Sequence, residues 1–199
     1  VSLCFKFLMM MTIPTSRSVS YSTTTITELM IPSYANFGGK IHGGLILSLM
    51  DKVAYACAAK HAGGYCVTVS MNAVDFLAPV EVGELVSLTA SVNYVGSSSM
   101  VIGVKVVSEN VTTGEKRHTN SSYLTMVAKD DEGKPRSVPE LELETPNQVR
   151  RFMEAMKRRQ FIKAYKHEVE VNKMDELQAM TKVNELSSER CLLKFKTED

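Results

Sequence analysis

The sequence predicts an α+β fold in which one long, almost wholly apolar helix lies against about five antiparallel strands. Two stretches carry that reading. "ELVSLTASVNYV" alternates cleanly, with Val86, Leu88, Ala90, Val92 and Tyr94 on one face and Ser87, Thr89, Ser91 and Asn93 on the other. That is the period of a strand with a single buried face. "GGLILSLMDKVAYACAAKHA", residues 43–62, places Leu45, Leu49, Val53, Ala56 and Cys57 on one stripe, while Ile46, Met50, Ala54 and Ala58 cover much of the rest. A helix apolar nearly all round is buried. Because one sheet covers one face only, the remaining apolar surface predicts oligomerisation, most simply a two-fold dimer.

The other elements follow in chain order. "SVSYSTTTITEL", from Ser18 to Leu29, is β-branched and mixed in polarity and reads as a first strand. "YCVTVSMNAVDFLAPV" is extended as far as Pro79, and "VEVGE" turns the chain into the alternating strand. "SMVIGVKVVSE" and "EKRHTNSSYLTMVAK" give two more strands joined by "NVTTGE", so that the order resembles a meander. These elements define a domain over residues 18–139. Residues 1–17 read as a flexible N-terminal segment. Their apolar run is too short to span a bilayer and has neither a basic flank nor a small-residue cleavage site. Met9, Met10 or Met11 is an alternative start of translation.

Residues 140–199 form a charged, helix-prone C-terminal extension. "RRFMEAMKRRQFIKAYK" holds seven basic residues against one acid, with Val149, Phe152, Met153 and Met156 sharing a face. It reads either as a basic patch for an anionic partner, such as a nucleotide phosphate, RNA or a membrane surface, or as an amphipathic helix packed on the domain with a solvated basic side.

Composition narrows the function classes. A net charge of +1 gives no global field toward nucleic acid or membrane, and the mean hydropathy near zero fits a soluble protein. Four cysteines, Cys4, Cys57, Cys66 and Cys191, form no C-x-x-C pair, which predicts reduced thiols and a cytoplasmic compartment. "GGKI" lacks the hydroxyl residue of a phosphate loop, and neither a G-x-S-x-G elbow nor G-x-G-x-x-G occurs. The histidines lack H-x-x-x-H spacing, so no metal site is expected.

What remains is the helix start. Backbone N–H groups at Gly43 and Gly44 lack intrahelical partners and carry the positive end of the helix dipole. No side chain blocks the approach of a carbonyl oxygen there. Asp51 lies about two turns further on, on nearly the same side, and burying a carboxylate among Leu47, Ala54, Tyr55 and Ala58 without purpose is costly. Donors and acid together suit a polarised carbonyl and an activated water.

These residues resemble a known family. "NFGGKIHGGLILSLMDKVA" followed by "VDFLAPVEVGE" is similar to the hotdog-fold acyl-CoA thioesterases, in their YciA-like and cytosolic brain-type branch, over about residues 18–139. The resemblance implies a long central helix wrapped by an antiparallel sheet, assembled as a homodimer or a trimer of dimers. It implies hydrolysis of acyl-CoA with no cofactor, CoA being part of substrate and product. Asn36 and Asp51 match the family's catalytic asparagine and acid, which come from facing subunits. Gly43 or Gly44 would donate to the thioester oxygen, and His42 would orient the loop. Gly96, Ser97 and Ser98 resemble the loop along the pantetheine and pyrophosphate, with Arg117, Lys134 and Arg136 as candidate phosphate contacts. Two other readings stay open: a hotdog dehydratase acting on hydroxyacyl thioesters, for which His42 is the nearby histidine, and a non-catalytic acyl-CoA sensor.

Overall fold

The computed structural model describes residues 14–192 and residue 194; Cys4 and most of the expected flexible segment lie outside the described residues. The central helix, α2, spans Gly43–Ala62, as the apolar periodicity predicts. The first strand is shorter than expected. Ser18 caps a single helical turn, α1 (Val19–Ser22), by accepting a hydrogen bond from the Tyr21 N–H, and strand β2 begins only at Thr24 and runs to Leu29. Before it, β1 (Ser16–Ser18) pairs in parallel with β8 (Glu140–Glu142), so Ser16 and Arg17 are part of the ordered domain.

The main sheet is antiparallel. Its remaining strands are β3 (Cys66–Met71), β4 (Asp75–Phe76), β5 (Glu84–Val95), β6 (Ser99–Asn110) and β7 (Lys116–Ala128). Its order is β2-β5-β6-β7-β3, with β4 also on β7. The extended stretch after the helix is therefore one sheet edge in two pieces, since β3 and β4 share β7 as their partner. Val86, Leu88, Ala90 and Val92 of β5, Met100, Ile102, Val104 and Val106 of β6, and Leu124, Met126 and Ala128 of β7 form the inner face. They pack against Ile46, Leu49, Met50, Val53, Ala54, Cys57 and Ala58 of α2 in one core. Each fully buried Leu, Ile, Val or Met in it contributes about 1.5–3 kcal/mol. The opposite ridge of α2, with Gly44, Ser48, Lys52 and Tyr55, is exposed.

At one end of the sheet Glu84 is buried. Its carboxylate accepts from the Glu81 N–H at 3.0 Å, the Ser108 hydroxyl and the Arg117 guanidinium. Burial opposes ionisation there, yet these three donors hold the carboxyl below its usual range.

Helix α3 (Pro146–Val171) starts in a capping box. Thr145 Oγ1 accepts from the Gln148 N–H at 3.3 Å, and the Gln148 side chain accepts from the Thr145 and Glu144 N–H groups. Pro146 suits the first turn because its missing N–H is not needed there. The packed face differs from the expected one. Ala155 is buried and Phe152 stacks on Tyr94 at 5.0 Å, whereas Val149, Met153 and Met156 are exposed. The outer sheet face beneath is largely polar, so a small alanine and one ring make the contact instead of a full apolar stripe.

The compact unit that holds the sheet ends at Met156; a second unit runs from Lys157 onward. Within the second, α4 (Glu176–Thr181) carries its own capping box between Asp175 and Gln178.

Candidate active site

Asp51 sits in the third turn of α2, half-buried, with a partner that no sequence pattern singles out. Thr68 Oγ1 donates to Asp51 Oδ1 at 2.6 Å. On β3, Thr68 has the same parity as buried Cys66 and so faces the helix. A bulge follows at once, between Thr68 and Ser70, and leaves Val69 unpaired. Bulges at sheet edges re-aim side chains in this way. Because β3 is an edge strand, Thr68 stays open on its outer side. A short hydroxyl bond to one carboxylate oxygen fixes the rotamer of Asp51 and leaves Oδ2 for a substrate or a water.

The helix start is built as expected, with one refinement. His42 is the N-cap, and its Nδ1 accepts from the Gly44 N–H at 2.9 Å, so the ring proton of the neutral imidazole lies on Nε2. The Gly43 N–H has no hydrogen-bond partner among the described residues. The Phe76 ring lies over Gly43, so close that a Cβ there would meet it at 3.2 Å. The open donor is thus Gly43, under an apolar roof.

Asn36 holds its own loop. Its Oδ1 accepts from Gly38 N–H at 2.9 Å and Lys40 N–H at 3.2 Å, while the Lys40 ammonium pairs with Glu81 at 2.6 Å. The side chain is exposed, and no hydrogen bond joins it to Asp51 within the chain.

The candidate CoA contacts do not form one group. Gly96, Ser97 and Ser98 make the tight turn between β5 and β6, with Ser97 and Ser98 carbonyls accepting from Val138 and Ala128. Arg136 is near the C-terminus of α2, where it donates to Ala62 O at 2.9 Å and covers Gly64. Lys134 pairs with Glu132 in an exposed turn. Arg117 is bound to Glu84 at the far end of the sheet. Nine residue steps along β6 separate its partner Ser108 from Ser99 at the turn, a span of about 30 Å at strand rise.

The two buried thiols are inert. Burial pushes the Cys57 thiol up to about 12 and the Cys66 thiol up to about 11. The candidate site residue that sequence reasoning missed is Thr68. Thr68 is the lone hydroxyl at an inward position of "CVTV", a signal too common to read without the bulge and the helix opposite.

A long helix cradled by an antiparallel sheet, with an acid in its third turn and an open N–H at its start, defines a hotdog-type thioesterase. The comparisons agree. The thioesterase superfamily profile matches residues 38–115. Protein VdlD of Helicobacter pylori is 43% identical over 148 residues, which span 72% of this chain and 84% of VdlD. An apo-hexameric acyl-CoA thioesterase of known structure superposes with a TM-score of 0.74 at 38% identity, covering 76% of this chain and 97% of the other. The acyl-CoA hydrolase of Staphylococcus aureus, solved with butyryl-CoA and CoA, gives 0.72 at 34% identity, over 78% and 94%. Variants of that hydrolase carry Ala in place of an Asn, an Asp and a Thr, in that chain order and 15 and 17 residues apart. This chain belongs to the thioesterase superfamily and is a hydrolase. No helix among the described residues is long and apolar enough to cross a membrane.

Proposed function

We propose that this chain hydrolyses acyl-CoA thioesters to a free carboxylic acid and CoA, with Asn36, Asp51 and Thr68 as its polar machinery. The observation that carries the reading is the 2.6 Å bond from Thr68 to Asp51 in the helix whose first N–H, at Gly43, is open. Asn36, Asp51 and Thr68 also repeat the order and the spacing, 15 and 17 residues, of the three positions replaced in the S. aureus enzyme.

The Gly43 N–H donates to the thioester oxygen and strengthens its hold as that oxygen becomes an oxyanion; one donor of this kind supplies about 2.7–4 kcal/mol. Asp51 Oδ2 takes a proton from water as the water oxygen bonds to the carbonyl carbon. The tetrahedral intermediate then collapses, the C–S bond breaks, and the proton passes from Asp51 to the departing sulfur. Thr68 keeps Asp51 in position throughout. In a second route Asp51 attacks the carbon itself and water cleaves the resulting anhydride. Label found in Asp51 after a single turnover in ¹⁸O-water would mark the anhydride route with water attacking the Asp51 carbonyl carbon, since the general-base route never exchanges the carboxylate oxygens. Phe76, over Gly43, flanks the acyl group. The reaction as written draws on no cofactor, and CoA enters and leaves as part of substrate and product.

Asn36 and Asp51 make no bond within one chain, which supports a site completed across a two-fold interface. The exposed ridge Gly44, Ser48, Lys52 and Tyr55 supports a partner subunit on that side of α2. The hexamer of the solved relative suggests three such dimers. Buried free Cys57 and Cys66 suit the reducing cytoplasm. Gly96–Ser98 and Arg136 remain the candidates for CoA, and Arg117, committed to Glu84, does not join them. The dehydratase reading is weaker, because His42 spends Nδ1 on the Gly44 N–H instead of facing Asp51.

The test is a thiol-release assay on the purified protein with acyl-CoAs of increasing chain length. Release of CoA that disappears in Asp51→Ala establishes the reading. Binding of acyl-CoA without release would replace it with the sensor.

A further inference from the structure

Seven basic residues open α3, and the thioesterase reading leaves them without a role. Two of them, Arg150 and Arg151, line a cleft of about 750 Å³ on the face of the sheet opposite α2. Its floor is the outward-facing side of β5, β6 and β7: Thr89, Ser91, Asn93, Gly103, Lys105 and Ser121. Its wall is the first three turns of α3. None of the candidate catalytic or CoA residues lines it.

The floor is built around a buried amide. Asn93 is only 6% exposed and Ser91 8%. Ser91 Oγ donates to Asn93 Oδ1 at 3.1 Å, while Asn93 Nδ2 has no partner among the described residues. Nδ2 lies over Gly103, where any Cβ would sit 2.4 Å from it, so a glycine at that place is what lets the amide lie flat in the cleft. A register shift between Val92 and Tyr94 marks Asn93 as the extra residue of a bulge, which turns its side chain out of the regular alternation. The Nδ2 atom is not shut off from the cleft, so an acceptor held there can reach it.

The remaining charges are all positive. Arg150 is matched by Glu154 at 2.6 Å and by Asn147. Among the described residues Arg151 reaches only the Ser91 hydroxyl, at 3.5 Å, and forms no ion pair. The Lys105 ammonium has neither an ion pair nor a hydrogen bond among the described residues. The groups open to a ligand are therefore an amide N–H, a guanidinium and an ammonium. All three are donors, two are charged, and all face one cavity that holds a molecule far larger than an inorganic ion.

We propose that this cleft binds a phosphorylated small molecule at a site separate from the catalytic one. Its phosphate oxygens are taken by Arg151 and Lys105, and its uncharged part lies over Asn93 and Gly103. The guanidinium fork suits phosphate oxygens. Occupancy would tie α3 to the outer sheet face, on the reverse of the layer that carries Asp51 and Thr68.

The experiment is calorimetric titration of the full-length oligomer with inorganic pyrophosphate and then with uridine diphosphate, which has no adenine in common with CoA. Both runs are made with saturating CoA present. Saturable binding is expected, tighter for the nucleotide and at least tenfold weaker in Lys105→Ala and in Arg151→Ala, with thioester hydrolysis retained in both exposed-residue variants. Hydrogen exchange on the wild type should show probe-induced protection in residues 89–93, 103–105 and 145–154. Failure of both probes to bind at millimolar concentration overturns the proposal, as does unchanged affinity in the two variants, displacement by CoA, or protection confined to other segments. Because binding is read without turnover, loss of the thioesterase reading would leave this result standing, and the reverse also holds.

Discussion

The two ends of α2 are treated in opposite ways. At the C-terminus each of the last four carbonyls is closed off. Gly63, at φ 70°, turns the chain in a left-handed cap, and the Gly63 and Gly64 N–H groups return to Ala59 O. Arg17 donates to the Lys60 and His61 carbonyls and stacks on Tyr21, while Arg136 takes Ala62 O. Two cations there also complement the negative end of the dipole. Beneath them His61, fully buried, bonds Pro139 O through Nε2 at 3.1 Å. At the N-terminus, by contrast, one imidazole closes one N–H, and the Gly43 donor is left for something outside the chain. A helix that needs an exposed, reactive start is anchored from its other end.

That contrast can be broken most severely at Asp51. Asp51→Asn is expected to lower kcat/KM for acyl-CoA by about 10²–10⁴-fold, the usual scale for a lost acid–base group, with the oligomer and its melting temperature kept. Next comes Thr68→Ala, which removes a hydrogen bond to a charged group worth about 1.5–3 kcal/mol, or about 10- to 100-fold. The loss should fall on kcat with KM little changed, and Thr68→Ser should restore it; a normal kcat in the alanine variant would remove Thr68 from the site.

At the closed end the expected effects are on stability. Arg17→Ala and Arg136→Ala each remove charge-assisted bonds to the last carbonyls of α2, at most about 1.5–3 kcal/mol before screening by solvent. In a chain of this size that is a drop of several degrees in Tm, roughly 2–4 °C per kcal/mol. Turnover per folded molecule should be unchanged in Arg17→Ala. A raised KM in Arg136→Ala, with Tm held, would instead assign that guanidinium to CoA.

The smallest effect concerns pH. Burial lowers the His61 pKa below 6.5; the Pro139 carbonyl pulls it back up, and neighbouring Arg17 lowers it further. Folding therefore favours the neutral ring. Its stabilisation is complete above pH 6.5 and is lost progressively as pH falls below that value, where the unfolded chain binds the proton more readily. Arg17 and Arg136 both face this end of the helix, and their positive charge disfavours the charged ring. Thermal melts between pH 7.5 and 5 should show a downward slope that flattens in His61→Gln, which keeps a donor for Pro139 O.

Much of this was legible. Apolar positions at helical spacing between Gly43 and Ala62 gave the bounds of α2, because a helix buried on one broad face and ended by glycine has few alternatives. Strict alternation from Val86 to Val92 gave the inner face of β5 for the same reason. Legibility failed where the signal was not periodic. Ser18–Ser22 reads as strand by β-branched company, yet one serine cap and a close carbonyl made it a helical turn. α3 was placed, but its packed face was not, because the polar outer sheet sets no apolar rule for what lies on it.

The candidate site divides along the same line. Sequence alone put Gly43, Gly44, His42 and Asp51 on one helix, with the acid about two turns past the start and on nearly the same side, since helix geometry converts their spacing into orientation. It also determined Asn36 as a loop residue, through the glycines that follow it. Only the tertiary structure decided that Thr68, seventeen residues past Asp51, would reach its carboxylate, that Phe76 would roof Gly43, and that Arg117 would be drawn to Glu84, far from the turn at Gly96. The reason is physical: local spacing fixes a helix, whereas strand register, an edge bulge and the closing of unpaired buried groups depend on which distant segment arrives as the partner.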